Sequence, residues 1–297
     1  MTFPHCEICG ADDWTVVHEG RIRRGGATDF IEGGRVGRCA GCGVTRLDEA
    51  CSVSSSAYEN TDYRSLMNQG VEPEDFFANH DVTQIHNLRG LWPHSLRGKT
   101  IADIGCGAGS FLDFVSGPAA QSIAVEPTAK FHDSLSERGY KVYSYARQVA
   151  DAAPHSVDFV STFQVIEHVE NPVQFLKDIK AMLKPDGTLL VATPNLDDIL
   201  MTILPEEFSP FYYRMVHRWY FTMDTLIKTA ELAGFEIQRK RYLHTFGMAN
   251  TLVWLRDKLP KGDVQLKGIT EQADDLWRIF LESTGQSDTI YITFRPT

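Results

Sequence analysis

The stretch Lys99-Thr-Ile-Ala-Asp-Ile-Gly-Cys-Gly-Ala-Gly-Ser-Phe-Leu112 constrains the fold of this chain most. Ile101, Ala102 and Ile104 form the apolar run of a buried strand. Gly105, Gly107 and Gly109 follow, and then Phe111, Leu112, Phe114 and Val115 recur at helical spacing. Glycines permit a sharp turn and let a ligand approach the backbone closely. The helix expected from Ser110 turns free N–H groups and a positive dipole end toward that place. A nucleotide-like cofactor is the natural occupant of such a turn.

The same alternation continues downstream. Gln121-Ser-Ile-Ala-Val-Glu126 reads as a second strand ending on an acid, Lys141-Val-Tyr143 as a third and Val157–Thr162 as a fourth. Asn171 and Pro172 open a helix whose buried face is Phe175, Leu176, Ile179, Met182 and Leu183. Lys184-Pro-Asp-Gly187 turns into a fifth strand, and Phe235–Leu243 and Thr289–Phe294 add a sixth and seventh. A helix over 74–91 is expected to present Phe77, Val82, Ile85, Leu88 and Trp92 as one apolar stripe. Strands alternating with helices predict an α/β fold, a doubly wound, seven-stranded, mostly parallel sheet with an antiparallel C-terminal edge.

Residues 1–50 form a different unit. Cys6-Glu-Ile-Cys9-Gly10 and Cys39-Ala-Gly-Cys42-Gly43 are two Cys-x-x-Cys knuckles, each followed by glycine. Four thiolates in two such knuckles make a closed tetrahedral set, so the expectation is a small N-terminal zinc ribbon with a structural Zn²⁺ held by Cys6, Cys9, Cys39 and Cys42. Two unrelated cysteine pairs are the alternative. The intervening Thr15–His18 and Thr28–Ile31 segments look like hairpin strands. Cys106 reads as a small filler in the glycine turn.

Residues 51–74 are polar and turn-rich and read as a linker. Their Tyr58 and Tyr63 are candidates to cap a substrate. The aromatic segment 195–220 breaks the strand–helix pattern and is expected either as a lid over the substrate or as a helix pair packed on the core. With 297 residues and a net charge of −10, nucleic acid and anionic membranes are unfavoured partners. With no apolar run of membrane-spanning length and no cationic leader, a cytoplasmic location is expected.

The glycine turn gains meaning from Glu126, at the end of the second strand. In a doubly wound sheet that tip lies beside the turn, where a carboxylate can accept ribose hydroxyls. Asp103 is placed to brace the loop. Taken together, Ile101-Ala-Asp-Ile-Gly-Cys-Gly-Ala-Gly-Ser, Ala124-Val-Glu-Pro, Phe163-Gln-Val-Ile-Glu-His-Val-Glu-Asn-Pro and Leu183-Lys-Pro-Asp-Gly-Thr-Leu resemble the class I S-adenosylmethionine-dependent methyltransferases. The resemblance spans about 75–243 and implies a methyltransferase domain over 75–297. It implies that Gly105, Gly107 and Gly109 cradle the methionine end of S-adenosylmethionine, that Glu126 holds the ribose and that Gln164 flanks the cofactor. The family often places an acid after the third strand for the adenine amino group. Here the residues are Ser144-Tyr-Ala-Arg147.

His168, with Glu167 beside it to orient the ring or bind substrate, is the base candidate, since an ordinary histidine titrates near neutrality. Some quinone O-methyltransferases bind a metal at a similar Glu-x-x-Glu-His, but Gln164 stands here in place of the first glutamate. His94, His217 and His244 read as structural. The zinc module ahead of the domain is similar to that of bacterial sugar and natural-product methyltransferases. The expected partner is therefore a small-molecule acceptor, such as a sugar or a natural-product or polysaccharide intermediate, with O-methylation preferred. The alternatives are C-methylation of a keto-deoxysugar nucleotide and a non-catalytic cofactor-binding module that docks another protein.

Overall fold

The computed structural model describes residues 3–60, 62–67, 70 and 72–297. Thr61, Asn68, Gln69 and Val71 of the expected linker fall outside them. Two sheets organise the chain. The larger has the strand order β10-β11-β8-β7-β4-β5-β6. Its strands are β4 (Thr100–Ile104), β5 (Gln121–Val125), β6 (Lys141–Tyr143), β7 (Val157–Phe163), β8 (Leu183–Pro194), β10 (Phe235–Leu243) and β11 (Thr289–Pro296). The first five pair in parallel, and β11 runs antiparallel to both β8 and β10. This is the seven-stranded, mostly parallel sheet expected from the sequence. Its parallel strands are near-continuous apolar runs because helices cover both faces.

The smaller sheet holds β1 (Trp14–Arg23), β2 (Phe30–Cys39), β3 (Thr45–Leu47) and β9 (Trp219–Tyr220), in that order. The hairpin strands are longer than expected, and β1 and β2 stay paired across two register shifts. The fourth strand was not anticipated. β9 comes from the aromatic 195–220 segment and pairs with β3 through Thr45↔Tyr220 and Arg46↔Trp219. Trp219 is fully buried, and the buried Arg46 guanidinium sits over its ring at 5.3 Å. Arg46 is paired with Glu7 at 3.1 Å and also with Glu49, which Arg218 reaches at 2.6 Å. The cysteine knuckles share one apolar cluster with Trp219, Met223 and Leu226. The N-terminal unit is therefore joined to the larger domain by a strand and by core packing.

The rest of segment 195–220 forms the helices Ile199–Ile203 and Pro205–Tyr212. Leu196 and Tyr213 pack on Ile22, Val36 and Leu47 of the small sheet. Phe208 packs on the C-terminal helices, 5.0 Å from the Trp254 ring. The segment thus lies between the small sheet and the C-terminal helices, and it meets the cleft residues from behind: the Val216 carbonyl accepts from Tyr58, and Trp219 donates to the Val169 carbonyl at 2.9 Å.

The single helix expected over 74–91 is two helices, Pro73–His80 and Gln84–Leu91, separated by a 3₁₀ turn at Asp81–Thr83. The break rotates the stripe. Val82, Ile85 and Trp92 are 78%, 56% and 70% exposed, while Leu91 is buried. A helix Ala146–Ala152, also unanticipated, connects β6 to β7.

Candidate active site

A cavity of about 610 Å³ opens at the carboxyl ends of β4, β5 and β7. Ligands bind at this edge of an open α/β sheet because the strand order reverses there and leaves a crevice. Gly105 lines it with a φ of +73°, and a Cβ added there would lie 2.3 Å from Val165. Both the backbone angle and the space require glycine. Gly107 and Gly109 complete the turn just behind, also with positive φ. A Cβ on Gly107 would strike the Phe76 ring at 2.4 Å.

Glu126 lies at the tip of β5 and faces the same cavity. Its Oε2 accepts the Gly107 N–H at 2.8 Å and its Oε1 accepts the Thr128 N–H at 3.0 Å. Two backbone donors hold the carboxylate in one orientation, and each oxygen keeps a further lone pair. Gln164 lines the wall in a left-handed conformation, φ +57°, as does the run Ser144–Arg147. Asp103 braces the base of the turn from inside the sheet. Its Oδ1 accepts from the Ser161 hydroxyl at 2.7 Å, tying β4 to β7 inside the sheet, and burial raises its pKa to about 7. It supports the strand that carries the turn and does not line the cavity. Cys106 is buried among apolar neighbours, which pushes its thiol well up, as suits a filler.

Tyr58 and Tyr63 both reach the cavity. Their rings lie 4.8 Å apart, and His168 lies 5.3 Å from the first and 5.7 Å from the second. Tyr58 donates its hydroxyl to the Val216 carbonyl at 2.8 Å, and its own carbonyl accepts from Thr128 at 2.9 Å. The stretch after the ribbon is thereby strapped across the cleft.

The Nδ1 of His168 lies 2.5 Å from the same Val216 carbonyl, which can only accept, so Nδ1 carries the hydrogen and Nε2 the free lone pair. Burial, reinforced by the charge of Arg214, pushes the His168 pKa down to about 3, below the near-neutral value expected from sequence. The ring is therefore neutral at physiological pH. Glu167 is 1% exposed in its side chain, and Thr193 donates to its Oε2 at 2.9 Å. Its Oε1 is buried without a partner, 3.9 Å from His168 Nε2, and burial raises its pKa to about 7.

Two contributors were not visible in the sequence. His217, expected as structural, brings its ring to 4.7 Å from His168. Donor atoms of Glu167, His168 and His217 lie within 4.8 Å of one another. A cation there would sit beside Arg214, whose Nε approaches His217 Nδ1 at 3.4 Å, and that charge opposes it. Arg64 is the second. Its guanidinium lies 4.7 Å over Phe76 and 4.6 Å over Phe131, with its Nε buried and unpartnered. Its Nη2 would be 3.2 Å from a Cβ on Gly107. A desolvated cation aimed at a glycine turn is a receptor for a carboxylate.

In the N-terminal unit, Cys6 and Cys42 sulfurs lie 3.8 Å apart and those of Cys9 and Cys39 3.5 Å apart, and all four sulfurs fall within 4.8 Å of one another. A tetrahedral site with Zn–S near 2.3 Å needs sulfurs roughly 3.8 Å apart, so the four cysteines fit the ion.

Comparison with known proteins agrees with this geometry. Residues 78–240 match the family model described as a methyltransferase domain. The chain is 30% identical over 173 residues to a ubiquinone biosynthesis O-methyltransferase of Neisseria meningitidis serogroup C, covering 54% of this chain and 70% of that protein. It is also 30% identical over 146 residues to the mitochondrial ubiquinone biosynthesis O-methyltransferase of Schizosaccharomyces pombe, covering 46% of this chain and 53% of the relative. A SAM-dependent methyltransferase structure from Archaeoglobus fulgidus superposes with a TM-score of 0.53 at 20% identity, over 75% of this chain and 97% of that one. The chain belongs to the class I S-adenosylmethionine-dependent methyltransferases. Among the described residues no helix is long and apolar enough to cross a membrane.

Proposed function

We propose that the protein O-methylates a small polar acceptor, with His168 as the base that receives the acceptor's proton. The observation that carries this reading is the Val216 carbonyl on Nδ1, which leaves the lone pair on Nε2 of a histidine that lines the cavity together with Gly105, Glu126 and Gln164. When bound, S-adenosylmethionine supplies an electrophilic methyl on a sulfonium sulfur. Gly105 and Arg64 would hold its amino-acid end, Glu126 its ribose, and Ser144–Arg147 would flank its base.

The acceptor stands under Tyr58 and Tyr63, which exclude water and orient it. His168 Nε2 would accept the hydroxyl proton; the bond formed to oxygen would replace the methyl's bond to the sulfonium sulfur, with S-adenosylhomocysteine as the leaving group. Alignment contributes more than basicity here, because the donor is already reactive and the histidine is a weak base. Glu167, its pKa raised by burial, holds the strand-end turn through Thr193. The names of the relatives, which are O-methyltransferases, support oxygen as the receiving atom. We further propose that residues 1–50 are a zinc ribbon with a purely structural ion, that 51–74 cap the substrate and that 75–297 carry the transfer.

The test is transfer of labelled methyl to candidate phenols, sugars and sugar nucleotides by the wild-type protein and by His168→Ala. Loss of about 10²–10⁴ in turnover with cofactor affinity retained is expected. Full turnover in the variant overturns the base assignment.

A further inference from the structure

Near the His168 site two arginines stand together, and among the described residues neither forms an ion pair. Arg23 ends β1, and Arg214 lies beside it in the 195–220 segment. The two are bridged through the backbone, Arg23 N–H to Tyr213 carbonyl at 2.9 Å and Met215 N–H to Arg23 carbonyl at 3.0 Å. The Arg23 guanidinium lies 4.0 Å over the Phe211 ring, and its Nε is buried with no partner. The Arg214 side chain donates from Nε to the His217 ring nitrogen at 3.4 Å. Among the described residues neither guanidinium has a carboxylate partner. Each of the other buried arginines near the small sheet does: Arg46 has Glu7 and Glu49, and Arg218 has Glu49.

Two adjacent cations repel each other, and the buried Nε of Arg23 forfeits hydration as well. Such a pair is stabilised when an anion joins it, and planar guanidinium forks suit carboxylate and phosphate oxygens. Both residues remain partly exposed, so a ligand can reach them. Their position is informative. Arg214 is linked through His217, whose ring is 4.7 Å from His168, to the wall where the methyl acceptor atom is placed.

We propose that the acceptor is an oxyanion-bearing molecule whose carboxylate or phosphate is seated on Arg23 and Arg214, one histidine ring away from the methylated atom. This rests on the reading of His168 as the acceptor site and narrows it to acidic acceptors. Tyr58, in the segment after residue 50, already lines the cleft with its hydroxyl 3.1 Å from His168 Nδ1. Arg23 would give the β1–β2 hairpin a direct share in specificity.

The experiment titrates inorganic phosphate and, separately, benzoate into the protein saturated with S-adenosylhomocysteine. Wild type, Arg23→Gln, Arg214→Gln and Arg23→Lys are compared by calorimetry. Binding of at least one probe to wild type is expected, weakened about tenfold or more in both glutamine variants and partly recovered in the lysine variant. Phosphate binding alone marks a phosphorylated acceptor, and benzoate binding alone a carboxylic acid. S-adenosylhomocysteine affinity, unchanged across the set, shows that the variants are folded. If neither probe binds wild type, or binding ignores both arginines, the inference is overturned. Full turnover by His168→Ala alongside arginine-dependent probe binding would instead remove the base assignment and leave the anion site standing.

Discussion

The Glu126 carboxylate accepts the Gly107 N–H at 2.8 Å, which ties the tip of β5 to the glycine turn after β4. One side chain thus orients the turn and faces the ligand cavity. Glu126→Gln keeps the shape but only one acceptor oxygen, and its NH₂ meets one of the two backbone N–H groups. S-adenosylmethionine affinity is expected to fall about tenfold or more, with a Tm below wild type. Calorimetric titration checks this. Unchanged affinity would show that the carboxylate serves the loop alone.

Arg64 aims its charge at the same turn from the other side. Arg64→Met keeps an unbranched chain of similar length and removes the guanidinium that lies over Phe76 and Phe131, and with it the charge. Affinity for S-adenosylmethionine should drop about tenfold or more, while decarboxylated S-adenosylmethionine should bind wild type and variant alike. Equal losses for both ligands would mean that Arg64 does not meet the carboxylate.

Tyr58 and His168 share the Val216 carbonyl. Tyr58→Phe removes one donor and leaves the histidine's own bond in place. The expected cost is about 1 kcal/mol of stability and a raised KM for the acceptor with the cofactor Kd unchanged. Denaturant titration and steady-state kinetics measure the two effects. A change in cofactor Kd without one in acceptor KM would place Tyr58 over the wrong ligand.

The cysteine knuckles pack in the same apolar cluster as Met223 and Leu226. Zinc removal should therefore lower the Tm of the whole chain and not only loosen a tail. Metal analysis is expected to find one zinc per chain, lost in Cys39→Ser. A protein without zinc, or a disulfide among these cysteines, would refute the assignment.

Asp198 is 5% exposed and accepts the Leu200 N–H at 2.7 Å. Burial, with Asp288 adding to it, raises its pKa from 3.8 to about 8. A raised acid binds its proton more tightly when folded. Its contribution to stability is complete below pH 3.8 and is lost as pH climbs through about 8. Asp198→Asn keeps a capping oxygen and cannot ionise. The Tm difference between variant and wild type should grow in the variant's favour from pH 4 to pH 9. A constant difference would show that the carboxyl ionises without penalty.

The sequence by itself determined the parallel sheet, the glycine turn, Glu126 at the strand tip and the four cysteines. These are local patterns: an apolar run, a strand end or a two-residue spacing carries its geometry along the chain. Break points were already harder. The stripe through Val82, Ile85 and Trp92 failed because a 3₁₀ turn at Asp81–Thr83 shifts the helical phase and leaves these side chains exposed. Tertiary structure alone decided the rest. β9 joins the small sheet across the length of the domain, since an unpaired β3 edge needs hydrogen-bond partners. Arg64 reaches Gly107, and Arg23 meets Arg214, through contacts between distant segments. His168 was legible as a histidine after a strand. Its hydrogen, its neutrality and its free Nε2 come from the Val216 carbonyl and from burial, which depend on how remote parts of the chain pack together.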